Sequence, residues 1–170
     1  MPVIRFVGLL SLWSGRLGAF VVLPLVLAMV FEVVSRYAFA APTAWAFELS
    51  YMMMGTIFLL GLSYAVLQNQ HVNVDFIHQM LPRRGVAVID AIGYVLMAGM
   101  LAWLTNVLVA NAIGVYRSGE GSGLSAWNPP IWPYRCVYAL GFGLFALQCL
   151  GKAIENLLIV FGRETQGSAR

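Results

Sequence analysis

Three polar residues in the segment 68–84 have the types and the spacing of a ligand set. His71, Asp75 and His78 are four and three residues apart, so a helix would carry all three on one face. Two imidazoles and a carboxylate can ligate a divalent metal ion, and they can also relay protons. A metal-binding membrane enzyme or a membrane-bound electron carrier using these residues is therefore one hypothesis for function.

Helical phasing of the same segment favours a structural interpretation. At about 100° per residue, the apolar residues between 74 and 81 occupy one arc and the polar residues the opposite arc. Pro82 ends this pattern, and Arg83 and Arg84 follow where anionic lipid headgroups would attract them. We predict a short amphipathic helix in the membrane interface. A metal site would also need a fourth ligand and supporting hydrogen bonds, so we predict no metal and no cofactor.

The composition is that of an integral membrane protein. Hydrophobic residues make up 61% of the 170 residues, and charged residues only 10%. Soluble domains contain roughly 25% charged residues, so this chain lacks the charge to cover a surface that faces water. The net charge of +3 is small and the basic residues are scattered, which gives nucleic-acid binding no support.

Four apolar segments are long enough to cross a bilayer as helices, since a hydrocarbon core of about 30 Å requires roughly 20 residues. We predict an all-α protein with a single membrane domain, in which the interfacial helix lies between the second and third spans. The predicted spans are residues 12–37, 45–67, 86–113 and 132–161. The first resembles a signal peptide, but its length and the charges of Glu32 and Arg36 predict that it is retained.

The distribution of Lys and Arg predicts the orientation of the spans. Seven of the ten basic residues lie at the N-terminus, in the 68–85 connection and near the C-terminus. Because basic residues favour the cytoplasmic side, we predict that both termini are cytoplasmic. The 38–44 and 114–131 connections would then face outward, and we expect the sequence SGEGSG at 118–123 to be a flexible linker.

Ionisable residues within the spans lie near the span ends. Glu32 and Arg36 are four residues apart and can pair along the first helix. Glu48 lies near the outer end of the second span, and Asp90 and Glu155 can reach water at the other side. Proton pumps and ion carriers place such groups near the bilayer midplane. Catalytic motifs are also missing from the sequence, so we predict a non-enzymatic partner subunit rather than a carrier or a self-assembling pore.

Other residues within the spans are expected to pack helices together. Cys136 and Cys149 are too far apart on one helix for a disulfide and should be small packing residues. Glycines at 93, 99, 141 and 143 allow close helix approach. Five polar residues are expected to form hydrogen bonds between helices: Ser63, Thr105, Asn106, Asn111 and Gln148.

The order of several short motifs resembles the small, DctQ-like membrane subunit of tripartite ATP-independent periplasmic (TRAP) transporters. The motifs are Arg36, WAFEL at 45–49, GLSYAVLQNQHVNVDFIHQMLP at 61–82 and WNPPIWPYRCVYALGFGLFALQCL at 127–150. The resemblance covers nearly the whole chain, and it depends on the order and spacing of the motifs together.

The resemblance implies a four-helix scaffold in the bacterial inner membrane, with the lipid bilayer around it. It also implies two protein partners. One is a large multi-helix membrane subunit that carries the solute with a coupling ion. The other is a periplasmic binding protein that delivers the solute, often an organic acid.

By position, the resemblance implies interface or structural roles for eight residues: Arg36, Trp45, Glu48, His71, Asp75, Pro129, Trp132 and Pro133. It does not extend clearly to His78. Many members of the family have two adjacent acidic residues after the tryptophan, whereas here Phe47 precedes a single Glu48. An ion pair between Arg36 and Glu48 is compatible with that single carboxylate.

Overall fold

Four helices form the part of the chain that the structure describes. This computed structural model describes the backbone of residues 2–68 and 83–161, and the side chains of residues 6–68 and 85–161. The helices are α1 (Pro2–Ala38), α2 (Ala46–Leu67), α3 (Arg83–Ser118) and α4 (Trp132–Val160). Each is long and apolar enough to cross a membrane, so the predicted all-α class and the four spans are confirmed. The predicted interfacial helix, with His71, Asp75 and His78, lies outside the described residues.

The first and third helices are longer than predicted. α1 begins ten residues before the predicted span and continues through Pro24, and α3 extends to Ser118 rather than residue 113. At a rise of about 1.5 Å per residue, helices of this length exceed a hydrocarbon core of about 30 Å. Hydropathy identifies only the part of a helix that lies in lipid. The extension of α3 at 114–118 contains Arg117 and Ser118, whereas the extension of α1 at 2–11 is largely apolar, with Arg5 as its one charged residue; both continue the helix of the predicted span.

The helices pack as two neighbouring pairs joined through α4. Close backbone approaches occur between α1 and α2, between α3 and α4, and between α4 and each of the first two helices. Among the described helices, α3 approaches only α4. α3 therefore lies at the edge of the bundle.

Small residues set the closest contacts. A Cβ atom on Gly141 would lie 2.8 Å from the Leu59 Cβ, and one on Gly15 would lie 2.7 Å from the Tyr64 ring. Real Cβ atoms do not approach other atoms this closely, so these glycines permit α2 to pack on α4 and on α1. The expectation of close approach is confirmed at Gly141. At positions 93 and 99 an added Cβ would meet no atom within 4 Å among the described residues, so these glycines make no close contact inside the bundle.

The interior is small and partly polar, whereas large apolar side chains point outward. One apolar cluster joins α2, α3 and α4 through Val66, Ala98, Leu101, Phe145, Ala146 and Cys149. Cys149 is fully buried in it, which agrees with the packing role predicted for this thiol. Phe20 of α1, by contrast, is 72% exposed. This distribution suits a bundle whose solvent is lipid, because burying apolar side chains away from lipid tails yields no hydrophobic gain.

Candidate functional site

One end of the bundle brings together most of the residues that the sequence motifs indicate. At this end α1 and α3 finish and α2 and α4 begin, so the connections 39–45 and 119–131 lie there. A hydrogen bond from Ser122 to Glu48 ties the second connection to the start of α2. We call this end the motif end. The residues predicted by sequence that it contains are Arg36, Trp45, Glu48, Pro129, Trp132 and Pro133.

Glu32 anchors the connection between α1 and α2. Its side chain is 9% exposed. One carboxylate oxygen accepts hydrogen bonds from the Arg36 Nε at 2.9 Å and from the Arg36 Nη2. The other oxygen accepts from the Thr43 backbone N–H at 2.9 Å and from the Thr43 hydroxyl. Both oxygens are thus satisfied by charge-assisted bonds, and residue 43 is fixed to the last turns of α1.

Arg36 pairs within its own helix rather than with α2. The predicted pairing of Glu32 with Arg36 is confirmed. The Arg36–Glu48 ion pair considered from the sequence is wrong, because the Glu48 carboxylate instead accepts a hydrogen bond from Ser122. The physical reason is local, since residues four apart on a helix meet without any tertiary requirement. The Arg36 side chain remains 54% exposed at the motif end.

Trp45 connects the end of α1 to the start of α2. Its ring stacks on the Phe31 ring, with centroids 5.9 Å apart and an interplanar angle of 23°. Its carbonyl accepts the Leu49 N–H at 3.0 Å, the first helical hydrogen bond at the beginning of α2. The tryptophan of the motif therefore has an intramolecular structural role.

Glu48 is a buried carboxylate with one observed partner. Its side chain is completely buried, and its Oε1 accepts the Ser122 hydroxyl at 2.8 Å. The other oxygen, Oε2, is buried and has no hydrogen-bond partner among the described residues. The position in the first turn of α2 favours a negative charge, because the unpaired N–H groups of a helix start give it a partial positive charge.

The residue before Glu48 points in a different direction. Phe47, which precedes Glu48 where the family resemblance implies a pair of acidic residues, is 69% exposed. An acidic side chain there would lie on the surface of the motif end. The buried contact with the 119–131 connection is made by the carboxylate of Glu48.

The 119–131 connection folds as a compact hairpin. Gly121 and Pro130 form an antiparallel bridge, and the Ser122 N–H donates to the Pro129 carbonyl at 3.0 Å. The Gly123 N–H donates to the Asn128 Oδ1 at 2.8 Å, and both of these residues have positive φ. The expectation of a flexible linker at 118–123 is therefore wrong. Glycine accepts left-handed conformations without strain, which lets a glycine-rich segment make a tight turn.

The proline and tryptophan residues of the last motif begin α4. Trp132 is the first residue of this helix, and its ring meets Tyr116 of α3 edge to face, with centroids 5.4 Å apart. Pro133 lies in the first turn, where its missing N–H removes no helical hydrogen bond. Together with Pro129, these residues set the path from the hairpin into α4.

Three tyrosines at the motif end were not singled out from the sequence. The Tyr134 ring lies 4.4 Å from the Tyr138 ring and 5.9 Å from the Tyr51 ring, measured between centroids. The Tyr134 and Tyr138 hydroxyls share a hydrogen bond of 2.6 Å. Their spacing of four residues was an available signal for a helical pair. The contact with Tyr51 required knowing how α2 faces α4.

A second polar cluster lies further from the motif end and joins three helices. The Ser11 hydroxyl donates to the Gln148 Oε1 at 2.9 Å. The Ser14 hydroxyl lies 2.9 Å from the Ser63 hydroxyl and 3.1 Å from the Leu60 carbonyl oxygen. Ser63 and Gln148 therefore form the predicted hydrogen bonds between helices. Ser11 and Ser14 were missed, although their three-residue spacing places both on one face of α1.

Thr105 and Asn106 depart from the same expectation. The Thr105 hydroxyl donates to the Leu101 carbonyl at 2.7 Å, and the Asn106 Nδ2 donates to the Ala102 carbonyl at 2.8 Å. Both hydrogen bonds lie within α3. Side chains of this kind commonly bond the carbonyl four residues earlier, which is a local alternative to a bond between helices.

The contacts at the motif end hold helix ends and connections to one another. Within 6–68 and 85–161 there is no group of three or more His, Cys, Asp or Glu side chains that could hold a metal ion. The ion pair of Glu32 with Arg36 at this end is engaged in fixing the turn that follows α1. These contacts together involve the ends of the four described helices and the two connections.

Similarity to known proteins covers this end and most of the bundle. The model of the family described as "Tripartite ATP-independent periplasmic transporters, DctQ component" matches residues 25–158, a range that includes the whole motif end. The "Sialic acid TRAP transporter permease protein SiaT" of Haemophilus influenzae (strain 86-028NP) is 26% identical over 80 residues. That match covers 47% of this chain and 12% of the relative, so it spans only a small part of that protein. No solved structure matches significantly.

Proposed function

Because the chain belongs to the DctQ family, the small membrane component of TRAP transporters, we propose that it acts as the scaffold of a large transport subunit. Family membership and four apolar helices make it a multi-pass protein of the bacterial inner membrane. The partners we propose are a large multi-helix membrane subunit and a periplasmic binding protein. The large subunit would carry the solute, and this chain would hold the large subunit in place.

The observation that carries the scaffold role is how the buried polar groups are used. Of the six buried polar side chains within residues 6–68 and 85–161, five bond to one another or to neighbouring groups of this chain: Ser11, Ser14, Glu32, Ser63 and Gln148. The sixth, Glu48, holds the 119–131 connection through Ser122. A transport pathway instead needs polar groups that face a water-filled cavity near the bilayer midplane. These groups are occupied in fixing helices.

We propose that the motif end faces the periplasm and that both termini face the cytoplasm. The support is the distribution of basic residues, of which only Arg36, Arg117 and Arg135 belong to the motif end. Trp127 and Trp132, both exposed at this end, suit a position at the membrane–water interface. In this orientation the ordered hairpin would lie on the side from which a periplasmic binding protein approaches.

For the solute we propose an organic acid, taken up with a coupling ion. The support is the resemblance of the motifs to TRAP small subunits and the partial match to a protein named as a sialic acid TRAP transporter permease. This chain would contribute no solute-binding residue of its own. A substitution in it should therefore change the amount of assembled transporter rather than the choice of solute.

Co-purification and uptake together test the scaffold role. A tagged copy of this chain should bring a large multi-helix membrane protein out of the native membrane in mild detergent. Deletion of its gene should abolish uptake of the solute that the accompanying binding protein recognises, and a plasmid-borne copy should restore it. Isolation of this chain alone, with normal uptake in the deletion strain, would refute the proposal.

A further inference from the structure

α3 exposes two polar side chains within the membrane span. Of the side-chain amides in the described helices, Gln148 is buried and Asn156 partly buried, whereas Asn106 and Asn111 are both exposed. Counting from Arg117 at the motif end, Asn111 lies about 9 Å and Asn106 about 16 Å along the helix, at ~1.5 Å per residue. Residues 114–118 extend beyond the predicted span, which ends at residue 113, so Asn106 lies about 10 Å inside that span at ~1.5 Å per residue.

The two amides border the side of α3 that points away from the bundle. At about 100° per residue, they lie about 140° apart around the helix. The residues in the arc between them are exposed, and the opposite side, with Ala98, Leu101 and Ala112, is buried. We call the exposed arc the α3 outer face. It consists of Gly99, Met100, Trp103, Asn106, Val107, Ala110 and Asn111.

Lipid tails cannot satisfy the polar groups of this face. The Asn106 Nδ2 donates one hydrogen bond, to the Ala102 carbonyl, which leaves the rest of the amide without a partner among the described residues. Asn111 has no side-chain hydrogen bond among them. Hydrocarbon neither donates nor accepts hydrogen bonds, so a polar group facing it is costly. By contrast, the exposed face of α1 carries large apolar side chains such as Phe20, Leu23 and Leu27, which suit lipid.

We propose that the α3 outer face is where transmembrane helices of the large subunit pack, with hydrogen-bonding groups of that subunit opposite Asn106 and Asn111. This inference rests on the proposed function and adds the location of the contact. A second copy of this chain is a weaker fit, because a symmetric contact of one α3 on another covers one narrow seam. Two amides about 140° apart require a partner that reaches around the helix, as a multi-helix subunit does. Gly99, where an added Cβ would meet no atom within 4 Å, leaves room for a close backbone approach.

Site-specific photo-crosslinking tests the location directly. The photoreactive amino acid benzoylphenylalanine would be placed at position 106 or 110, and at Leu23 or Leu27 of α1 as matched controls at exposed positions. We expect adducts with the large subunit from positions 106 and 110 of the intact complex, and none from the α1 positions. An adduct containing two copies of this chain, or adducts with lipid only, would overturn the inference.

Measurements of affinity for the large subunit give a second test, which does not depend on the photoreactive amino acid. Asn106→Leu and Asn111→Leu should each weaken association with the large subunit about three- to tenfold, the range expected for a hydrogen bond between membrane helices. Asn156→Leu is the matched control, because the Asn156 Nδ2 makes the same kind of bond, to the Lys152 carbonyl at 3.1 Å. It should change affinity less than twofold. Wild-type affinity in both α3 variants, with unchanged helicity, would contradict the contact.

The two proposals fail in distinguishable ways. If the wild-type chain forms no complex with a large subunit, the scaffold function fails and the inference fails with it. If the complex forms and uptake depends on this chain, but positions 106 and 110 label only lipid, the scaffold function stands and the α3 contact is refuted.

Discussion

Replacing Ser122 with alanine tests whether the buried Glu48 holds the 119–131 hairpin on the bundle. The Ser122 hydroxyl is the observed hydrogen-bond donor to this carboxylate, at 2.8 Å, and the second oxygen has no partner among the described residues. The substitution would leave a fully buried carboxylate without its donor. Hydrogen bonds to charged groups contribute about 1.5–3 kcal/mol, and loss of one partner leaves the other unsatisfied. We therefore expect a loss of about 2 kcal/mol.

Thermal unfolding of the purified chain in detergent measures this loss. For a chain of this size, 1 kcal/mol corresponds to about 2–4 °C, so Ser122→Ala should lower Tm by about 4–8 °C. Ser125→Ala is the matched control within the same connection. The Ser125 hydroxyl accepts the Trp127 N–H at 3.1 Å in an exposed position. Removing it should therefore lower Tm only slightly.

A double variant separates the hydrogen bond from other effects of the substitution. In Glu48→Leu with Ser122→Ala, both partners are removed and no buried charge is left unpaired. Replacing both partners can be nearly neutral, so the double variant should be more stable than Ser122→Ala alone. The reasoning is refuted if Ser122→Ala unfolds within 1 °C of the wild type, or if the two substitutions are simply additive.

Three further expectations concern the close contacts, the motif end and the histidines. Gly141→Ala should lower stability by about 1–3 kcal/mol in thermal unfolding, because the new Cβ would lie 2.8 Å from the Leu59 Cβ. Gly61→Ala is the control and should cause no loss of stability, because a Cβ at residue 61 would meet no atom within 4 Å. Arg36→Ala should reduce complex yield and uptake without abolishing membrane insertion, and normal values for both would show that the ion pair of Arg36 with Glu32 is dispensable. Elemental analysis should find no stoichiometric metal or haem, and His78→Ala should leave uptake unchanged; a bound metal lost in that variant would revive the ligand-set hypothesis.

Contacts within one helix were the most predictable part of the candidate site. Glu32 and Arg36 pair as predicted because residues four apart meet on any helix. Glu48 was correctly placed near the start of α2, but its partner was not predicted. Ser122 is 74 residues away in the chain, within a glycine-rich segment that composition alone describes as flexible. The turn geometry that orders this segment depends on positive φ at Gly123 and Asn128, together with backbone bonds across the hairpin.

The sequence by itself determined the class of the protein, the number and approximate limits of its described spans, and its family. A helix that crosses the bilayer needs about 20 consecutive apolar residues and bonds each backbone polar group within itself. Both requirements concern one segment of sequence at a time, so a span can be predicted without knowing its neighbours. Only the tertiary structure decided which faces of the helices meet. In α1 the polar residues that pack inward, such as Ser11 and Ser14, are too few among apolar neighbours to give a strong amphipathic pattern from which the rotation of the helix could be read. The bond from Ser11 to Gln148 and the outward position of Asn106 follow from glycine contacts and helix rotation, which depend on several helices at once.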